Sequence, residues 1–337
     1  MTNYVVNVTQ GQNKTAGSKA KKDVVFFLSK YRSYKIIDYT VINNRFFRII
    51  KGIFQWKASF RNIDEEDMVL FQYPAYSRFL GDCFVHEARK HGTKISILLH
   101  DVNSLRMYKN SSKKIKRELD FINKFDFVIA HNKNMATWLV NHGVYKKIIS
   151  LGIFDYQADY LMNDISLVSD KKEPTIAFTG NLGKSTFLEK INSNIPINLY
   201  GVFPAEKYPE NIDYRGSFDS EKLGNVVDDE FGLVWDGDAT ESCTGVLGEY
   251  LKYNNPHKTS FYLSNGMPVI IWRKAALAEF IVRNGCGIVI DSLNDLDLVF
   301  SELTLNDRLK LKENAIKIGS MLRDGHFLID AVSKWER

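Results

Sequence analysis

The stretch NNPHKTSFYLSNGMPVIIW, residues 254–272, contains the start and stop of a short helix followed by a buried strand. Asn255 suits an N-cap, and Pro256 suits the first helical position, where its missing N–H has no partner to lose. Gly266 and Pro268 supply the matching stop before Val269 to Trp272. His257 and Lys258 then fall in the first turn, where a cation opposes the helix dipole by about 0.3–1 kcal/mol when exposed. A bound anion reverses that sign. Free N–H groups with Lys258 beside them therefore read as a diphosphate cradle, against the plain alternative of a surface lysine extended into solvent.

Outward from this segment the same alternation repeats. Strands are expected at Thr175 to Gly180, Ile197 to Tyr200, Phe231 to Trp235, Pro268 to Trp272 and Gly287 to Ile290. In the first half they are expected at Tyr4 to Val8, Asp67 to Tyr73, Lys94 to His100 and Phe125 to His131. Helical patterns lie between them, from near Ser18, over Cys83 to Lys90, Lys113 to Lys124 and Asn134 to Asn141. Short apolar strands alternating with helices predict an α/β fold with parallel sheets, here two Rossmann-like domains in succession. The polar stretch Asp155 to Pro174 reads as their connection, giving domains over 1–155 and 170–315. Ligands of open α/β sheets collect at the carboxyl ends of strands. The loops after His100, His131, Gly180 and Asp236 are therefore the places to look.

Composition narrows the partners. The net charge of +5 over 337 residues hides an asymmetry. Residues 1–150 hold 26 Lys and Arg against 12 Asp and Glu, while the remainder holds 19 against 28. Such a division suggests that the first half faces something acidic, or presents a solvated basic face. Two clusters stand out: Lys113, Lys114, Lys116 and Arg117, and Arg45, Arg48, Lys51 and Lys57. They suit an anionic membrane surface or an acidic partner protein. No recognition motif accompanies the charge, so nucleic acid is not expected. Cys83, Cys243 and Cys286 form neither a zinc spacing nor a disulfide framework. No apolar run approaches the roughly 18 residues of a membrane span, and no signal-peptide pattern opens the sequence. The expectation is a cytoplasmic protein, with peripheral membrane contact allowed.

Two motifs mislead. GNLGKST resembles a phosphate loop, but the glycine required five residues before Gly183 is Phe178. VWDGDA offers Asp236 and Asp238 after an apolar strand, a pattern that can hold a divalent ion. It reads here as a strand-end loop, with no metal expected.

FGLVWDG (231–237), GEYLKYNNPHK (248–258), NKTAGSKA (13–20), LLHDVNSLR (98–106) and FDFVIAHN (125–132) together resemble the glucosyltransferase 3-like family, in the same order and over nearly the whole chain. The resemblance implies a GT-B glycosyltransferase: two Rossmann-like domains facing across a cleft, donor mainly on 175–315, acceptor mainly on 1–150, and a helix over 316–337 returning to the first domain. It implies Asn254, Lys258 and Thr259 at the donor nucleotide, with Thr15 to Gly17 facing the same site. Asn181 and Lys184 begin the second domain's first loop and are expected near the diphosphate or ribose. Tyr214, and with it Tyr200, is a weaker candidate for the uracil side of the donor.

A metal-free enzyme of this kind neutralises the departing diphosphate with helix N–H groups and basic side chains. An inverting transfer also needs a general base. His100 and Asp101 are the leading pair, Asp101 acting as base or orienting His100, with His131 second. The implied reaction moves a hexose, commonly glucose from UDP-glucose, to GlcNAc on a serine-rich repeat adhesin. The related β-1,6-galactofuranosyltransferases suggest instead a lipid-linked surface-polysaccharide acceptor. A third reading is an inactive GT-B subunit, which an intact anion site at Lys258 argues against. The family also suggests a homo-oligomer.

Overall fold

The computed structural model describes residues 2–9, 16–42, 44–75, 77–158, 168 and 173–336. The chain divides into two units, one of residues Met1–Leu151 with Phe327–Arg337, the other of Gly152–His326. The first contains β1 (Asn3–Thr9), α1 (Ala16–Arg32), β2 (Lys35–Thr40), α2 (Arg45–Ser59), β3 (Met68–Tyr73), α3 (Arg78–Lys90), β4 (Lys94–Leu99), α4 (Asn103–Arg106), α5 (Ser112–Ile122), β5 (Phe127–Ala130), α6 (Lys133–Asn141) and β6 (Lys147–Ser150). Its sheet is parallel throughout, in the order β2-β1-β3-β4-β5-β6. A parallel sheet covered by helices buries both faces, so its inner strands are nearly continuous apolar runs. Every residue of β3, MVLFQY, is buried. Phe71, Phe84, Phe121 and Phe125 pack against one another beneath α3 and α5, with ring centroids as close as 4.7 Å.

The second unit contains β7 (Ile176–Asn181), β8 (Ile197–Val202), β9 (Ile212–Gly216), β10 (Phe231–Val234), α7 (Gly245–Tyr250), α8 (His257–Ser264), β11 (Val269–Trp272), α9 (Ala278–Asn284), β12 (Gly287–Ile290), α10 (Leu296–Glu302) and α11 (Leu305–Arg323). These strands are also all parallel, in the order β12-β11-β10-β7-β8-β9. This is the doubly wound order of dinucleotide-binding domains, reversing direction between β7 and β10.

The helix that decided the fold differs at its start from the expected cap. Pro256 has extended backbone (φ −61°, ψ 129°) and is itself the cap residue, so helical geometry begins at His257. Asn255 does not cap; its side-chain amide donates to the Gly152 carbonyl at 3.1 Å. The stop is as expected. Gly266 takes φ +67°, its N–H donates to Leu263 O, and Met267 N–H donates to Tyr262 O, the paired bonds of a Schellman ending.

Tyr262 on α8 fixes this helix to the sheet, its hydroxyl accepting from Thr179 N–H at 2.8 Å. Gly232 in β10 makes room for the ring: a Cβ there would lie 2.1 Å from Tyr262 Cγ. Gly232→Ala is therefore expected to cost about 3 kcal/mol or more, since the ring is fully enclosed and cannot step aside. Urea denaturation of the variant checks this, and a loss under about 1 kcal/mol would contradict the packing argument.

The return to the first unit comes later than residue 316. The helix α11, opened by a capping box of Thr304 and Asp307, runs unbroken to Arg323 within the second unit. It lies so close to α8 that a Cβ on Gly319 would meet Leu263 O at 2.2 Å. Only α12 (His326–Glu336) then joins the first unit, from Phe327 onward. Trp335 is buried and its ring meets that of Phe127 at 60°, with centroids 6.3 Å apart. Glu336 accepts from Asn3 Nδ2 (2.9 Å) and the Tyr34 hydroxyl (2.8 Å), and pairs with Arg32. Among the described residues no helix is long and apolar enough to cross a membrane.

Candidate functional site

The crevice expected of the second sheet lies at the carboxyl ends of β7 and β10, where the strand order reverses. Lys258 reaches this point from the first turn of α8. Its Nζ lies 3.4 Å from both Trp235 O and Asp236 Oδ1, at the end of β10, and 4.2 Å from the centre of the Phe178 ring in β7. Both polar contacts are at the long limit of hydrogen bonding. The ammonium is thus positioned by an aromatic face and a carboxylate while retaining capacity for a closer anion.

The residues around Lys258 divide into two sets. Asn255 bonds Gly152, the Ser260 hydroxyl donates to Phe154 O at 2.6 Å, and His257 packs against Phe154 and Tyr156, each at 5.6 Å between ring centroids. These tie the start of α8 to the segment entering the unit. Asn254 and Thr259 belong to the other set. Asn254 Oδ1 and Thr259 Oγ1 are buried, with no hydrogen-bond partner among the described residues. A buried polar atom left without a partner costs about 1–3 kcal/mol, and such atoms concentrate where a ligand supplies the bond. The structure thus brings Asn254, Lys258 and Thr259 together around one helix start.

The other second-unit candidates are more dispersed. Asn181 ends β7 half-buried, and exposed Lys184 ends the short turn that follows, both at the crevice end of the sheet. Tyr214 stands on the edge strand β9, two strands outward from β7, its hydroxyl donating to Gly201 O at 3.0 Å. Tyr200 is buried and donates to Asp229 Oδ2 at 2.9 Å, and its neighbour Asn198 donates to Asp229 Oδ1 at 2.6 Å. Tyr200 is therefore part of a buried polar network. Burial raises the Asp229 carboxyl above its ordinary range, against the lowering effect of the Asn198 and Tyr200 hydrogen bonds.

In the first unit, Thr15 lies outside the described residues. Gly17 was expected in a loop approaching a phosphate, but falls in the first turn of α1. His100 follows β4, its N–H donating to Tyr73 O at 2.7 Å. Its Nε2 lies 2.8 Å from Gln72 Oε1. The Gln72 amide donates to Val6 O (2.9 Å) and Lys21 O (3.3 Å), so Oε1 is the acceptor and His100 Nε2 carries the proton. In the neutral ring the lone pair then belongs to Nδ1. Asp101 pairs with Arg106 at 3.3 Å. Lys21 donates to Pro74 O at 2.6 Å; burial lowers its amine to about 8, opposed by the charge of Asp101.

Sequence reasoning missed Gln72 and Lys21. Gln72 had a signal: it interrupts an otherwise apolar run and is fully buried, which is informative for a polar residue. Nothing set Lys21 apart from Lys19 and Lys22.

His131, the second candidate base, is a core residue at 2% exposure. Burial lowers its pKa to about 4, against the raising effect of hydrogen bonds to the His100 and Leu99 backbone. It is therefore neutral at pH 7. The unfolded chain takes up this proton near pH 6.5 and the folded one only near 4, so stability is lost as pH falls through that window. Urea denaturation between pH 7 and 5 should show a loss of up to roughly 1 kcal/mol per pH unit that His131→Gln reduces. An unchanged slope in the variant would assign the loss to other groups.

The chain matches family models over both halves: glucosyltransferase 3-like, N-terminal domain over residues 2–153, and glucosyltransferase 3-like, C-terminal domain over residues 176–335. It is 32% identical to β-1,6-galactofuranosyltransferase WbbI of Escherichia coli K12, across 98% of this chain and 97% of that protein. It is 27% identical to glucosyltransferase 3 of Streptococcus gordonii, over 79% of each chain. Among solved structures it resembles sucrose-phosphate synthase from Thermosynechococcus elongatus (TM-score 0.62, 12% identity, 100% and 98% coverage). It also resembles the E. coli trehalose-6-phosphate structure bound with UDP-2-fluoro glucose (TM-score 0.59, 12% identity, 100% and 99% coverage). These structures share the GT-B fold, and at such identities the likeness concerns the fold alone. With both halves matched and a relative above 30% identity along nearly its whole length, the chain belongs to the glucosyltransferase 3-like family of glycosyltransferases.

Proposed function

We propose that the protein transfers a hexose from a UDP-sugar to a carbohydrate acceptor, with the donor diphosphate neutralised by protein groups rather than by a divalent ion. The observation that carries this reading is Lys258 at the reversal point of the second sheet, at the start of α8 with Asn254 and Thr259, whose buried oxygens have no hydrogen-bond partner among the described residues. A departing diphosphate there meets an ammonium and helix N–H groups already in place, so little reorganisation is needed as charge develops. Asp236 and Asp238, which a metal reading requires, have other engagements. Asp236 faces Lys258, and Asp238 accepts from the Thr244 hydroxyl at 2.5 Å. For an inverting transfer we assign the base to the pair His100 and Asp101, which follow β4 at the carboxyl end of the first sheet.

Two readings of donor and acceptor follow. The first is glucose from UDP-glucose onto GlcNAc of a serine-rich adhesin, in keeping with the glucosyltransferase 3 relatives. The second is galactofuranose onto a lipid-linked saccharide. It is favoured by 32% identity along 97% of a β-1,6-galactofuranosyltransferase, against 27% along 79% of the Streptococcus gordonii protein. Turnover with UDP-glucose and UDP-galactofuranose, each offered a GlcNAc-bearing peptide and a lipid-linked saccharide, separates them. Activity should persist in EDTA; its abolition there would return Asp236 and Asp238 to first place as metal ligands.

Thr259→Val provides a second test. Removing a buried hydroxyl that has no partner among the described residues should stabilise the free protein by up to about 1 kcal/mol, while weakening UDP binding several-fold. Thermal melts and calorimetry on the same variant read the two effects. A variant less stable than wild type, with unchanged UDP affinity, would make Thr259 a packing residue.

A further inference from the structure

From Asp38 to Asp64 the chain passes through 25 residues without an acid, while carrying Arg45, Arg48, Lys51, Lys57 and Arg61. The helix α2 occupies most of this stretch. Its inner face is filled: Trp56 stacks on Tyr39 at 4.6 Å, and Gly52 lies against Leu80. Its outer face is unusual for a surface helix. Phe47, Ile50 and Phe54, at helical spacing i, i+3 and i+7, are exposed by 60%, 40% and 67%. Lys51 and Lys57 are exposed on the same side. Phe79, at 52% exposure, extends the apolar surface onto α3, where it lines a shallow groove with Ile53, Lys57 and Lys90, and with the α3 acids Asp82 and Glu87.

We infer that α2 is an interfacial anchor that seats the protein on an anionic lipid surface. A face carrying both phenylalanines and lysines suits the boundary between acyl chains and headgroups: the rings enter the apolar layer while the ammonium groups reach the phosphates. Charge complementarity selects lipid over a second copy of this chain. Two copies meeting through α2 would bring ten basic residues together with no acid in either stretch to offset them. The strong positive balance of residues 1–150 adds a long-range attraction of the same sign. This inference is independent of where the donor binds.

The test is flotation of the full chain with phosphatidylethanolamine–phosphatidylglycerol vesicles and with phosphatidylcholine vesicles. The protein should float with the anionic vesicles alone and detach as salt rises. Lys51→Glu with Lys57→Glu should cut partitioning by roughly ten-fold or more, and Phe54→Ser by about five-fold. Both variants should retain wild-type UDP affinity by calorimetry, which shows that they fold. Three results would overturn the anchor: no flotation of the wild type, equal flotation of the variants, or a concentration-dependent dimer, dissolved by Phe54→Ser, in a protein that does not bind vesicles.

Discussion

Lys258→Ala is expected to lower UDP affinity about ten- to a hundred-fold and turnover by about 10²–10³, the range found when one preorganised group facing developing charge is removed. Turnover should fall further than binding, because the leaving diphosphate carries more charge in the transition state than in the bound donor. The variant also leaves Asp236, which faces Lys258 in the free protein, aimed into the same crevice as a bare carboxylate. Repulsion from that group adds to the loss, so Lys258→Ala with Asp236→Asn should recover part of the affinity. Lys258→Arg should recover less than charge alone suggests, because the planar guanidinium does not fit the position above Phe178 as the compact ammonium does. Calorimetry with UDP and initial rates with the preferred donor measure both quantities. UDP binding unaffected by Lys258→Ala would remove α8 as the donor site.

A second large effect is expected far from any chemistry. Arg308 on α11 and Glu230, just before β10, form a two-pronged pair with both residues under 10% exposed. The Arg308 Nε donates to Glu230 Oε1 at 2.7 Å, and Nη2 donates to Oε2. Arg308→Ala leaves a buried carboxylate without its partner and should cost about 3–5 kcal/mol. In a unit of this size that corresponds to a fall in Tm of about 10 °C. Replacing both partners by apolar residues of similar volume, Arg308→Met with Glu230→Leu, should return most of the loss, since desolvation of the pair disappears along with its attraction. A single variant that melts within about 2 °C of wild type would show that water or a nearby group compensates the carboxylate.

The inner strands were legible in the sequence because a strand covered on both faces must be apolar throughout. Those at β1, β3, β4, β5, β7, β8, β10 and β11 are mostly apolar runs, with single polar residues such as Asn7, Gln72 and Asn198 within them. The strands that escaped, β2, β6 and β9, are three of the four edge strands; the fourth, β12, was read because GIVI is apolar throughout. KIIDYT, KIIS and IDYRG are short and mix polar with apolar residues, because one neighbour is missing and part of the strand meets water. The helix start at Lys258 was legible from Pro256 and from a cation in an otherwise unfavourable place. The cap itself was misread because Asn255 is engaged by Gly152, more than a hundred residues earlier, which local pattern does not reveal. The same holds for His100. Its position at a strand end could be read from the run before it, whereas Gln72, which fixes its proton, comes from the neighbouring strand.

The placement of α12 has a consequence for how the protein is made. The first unit needs Trp335 beside Phe127, and Glu336 beside Asn3 and Tyr34, to complete its core and edge. A ribosome delivers residues 327–336 only after the whole second unit. At roughly 5–20 residues per second the first sheet waits about 10–40 s, its hydrophobic face incompletely covered, before its final helix emerges. During that interval the nascent first unit is a substrate for chaperones and a target for proteases, while the second unit can already close on itself. Cuts or helix-breaking substitutions within residues 327–336 should therefore damage the unit built from residues 1–151.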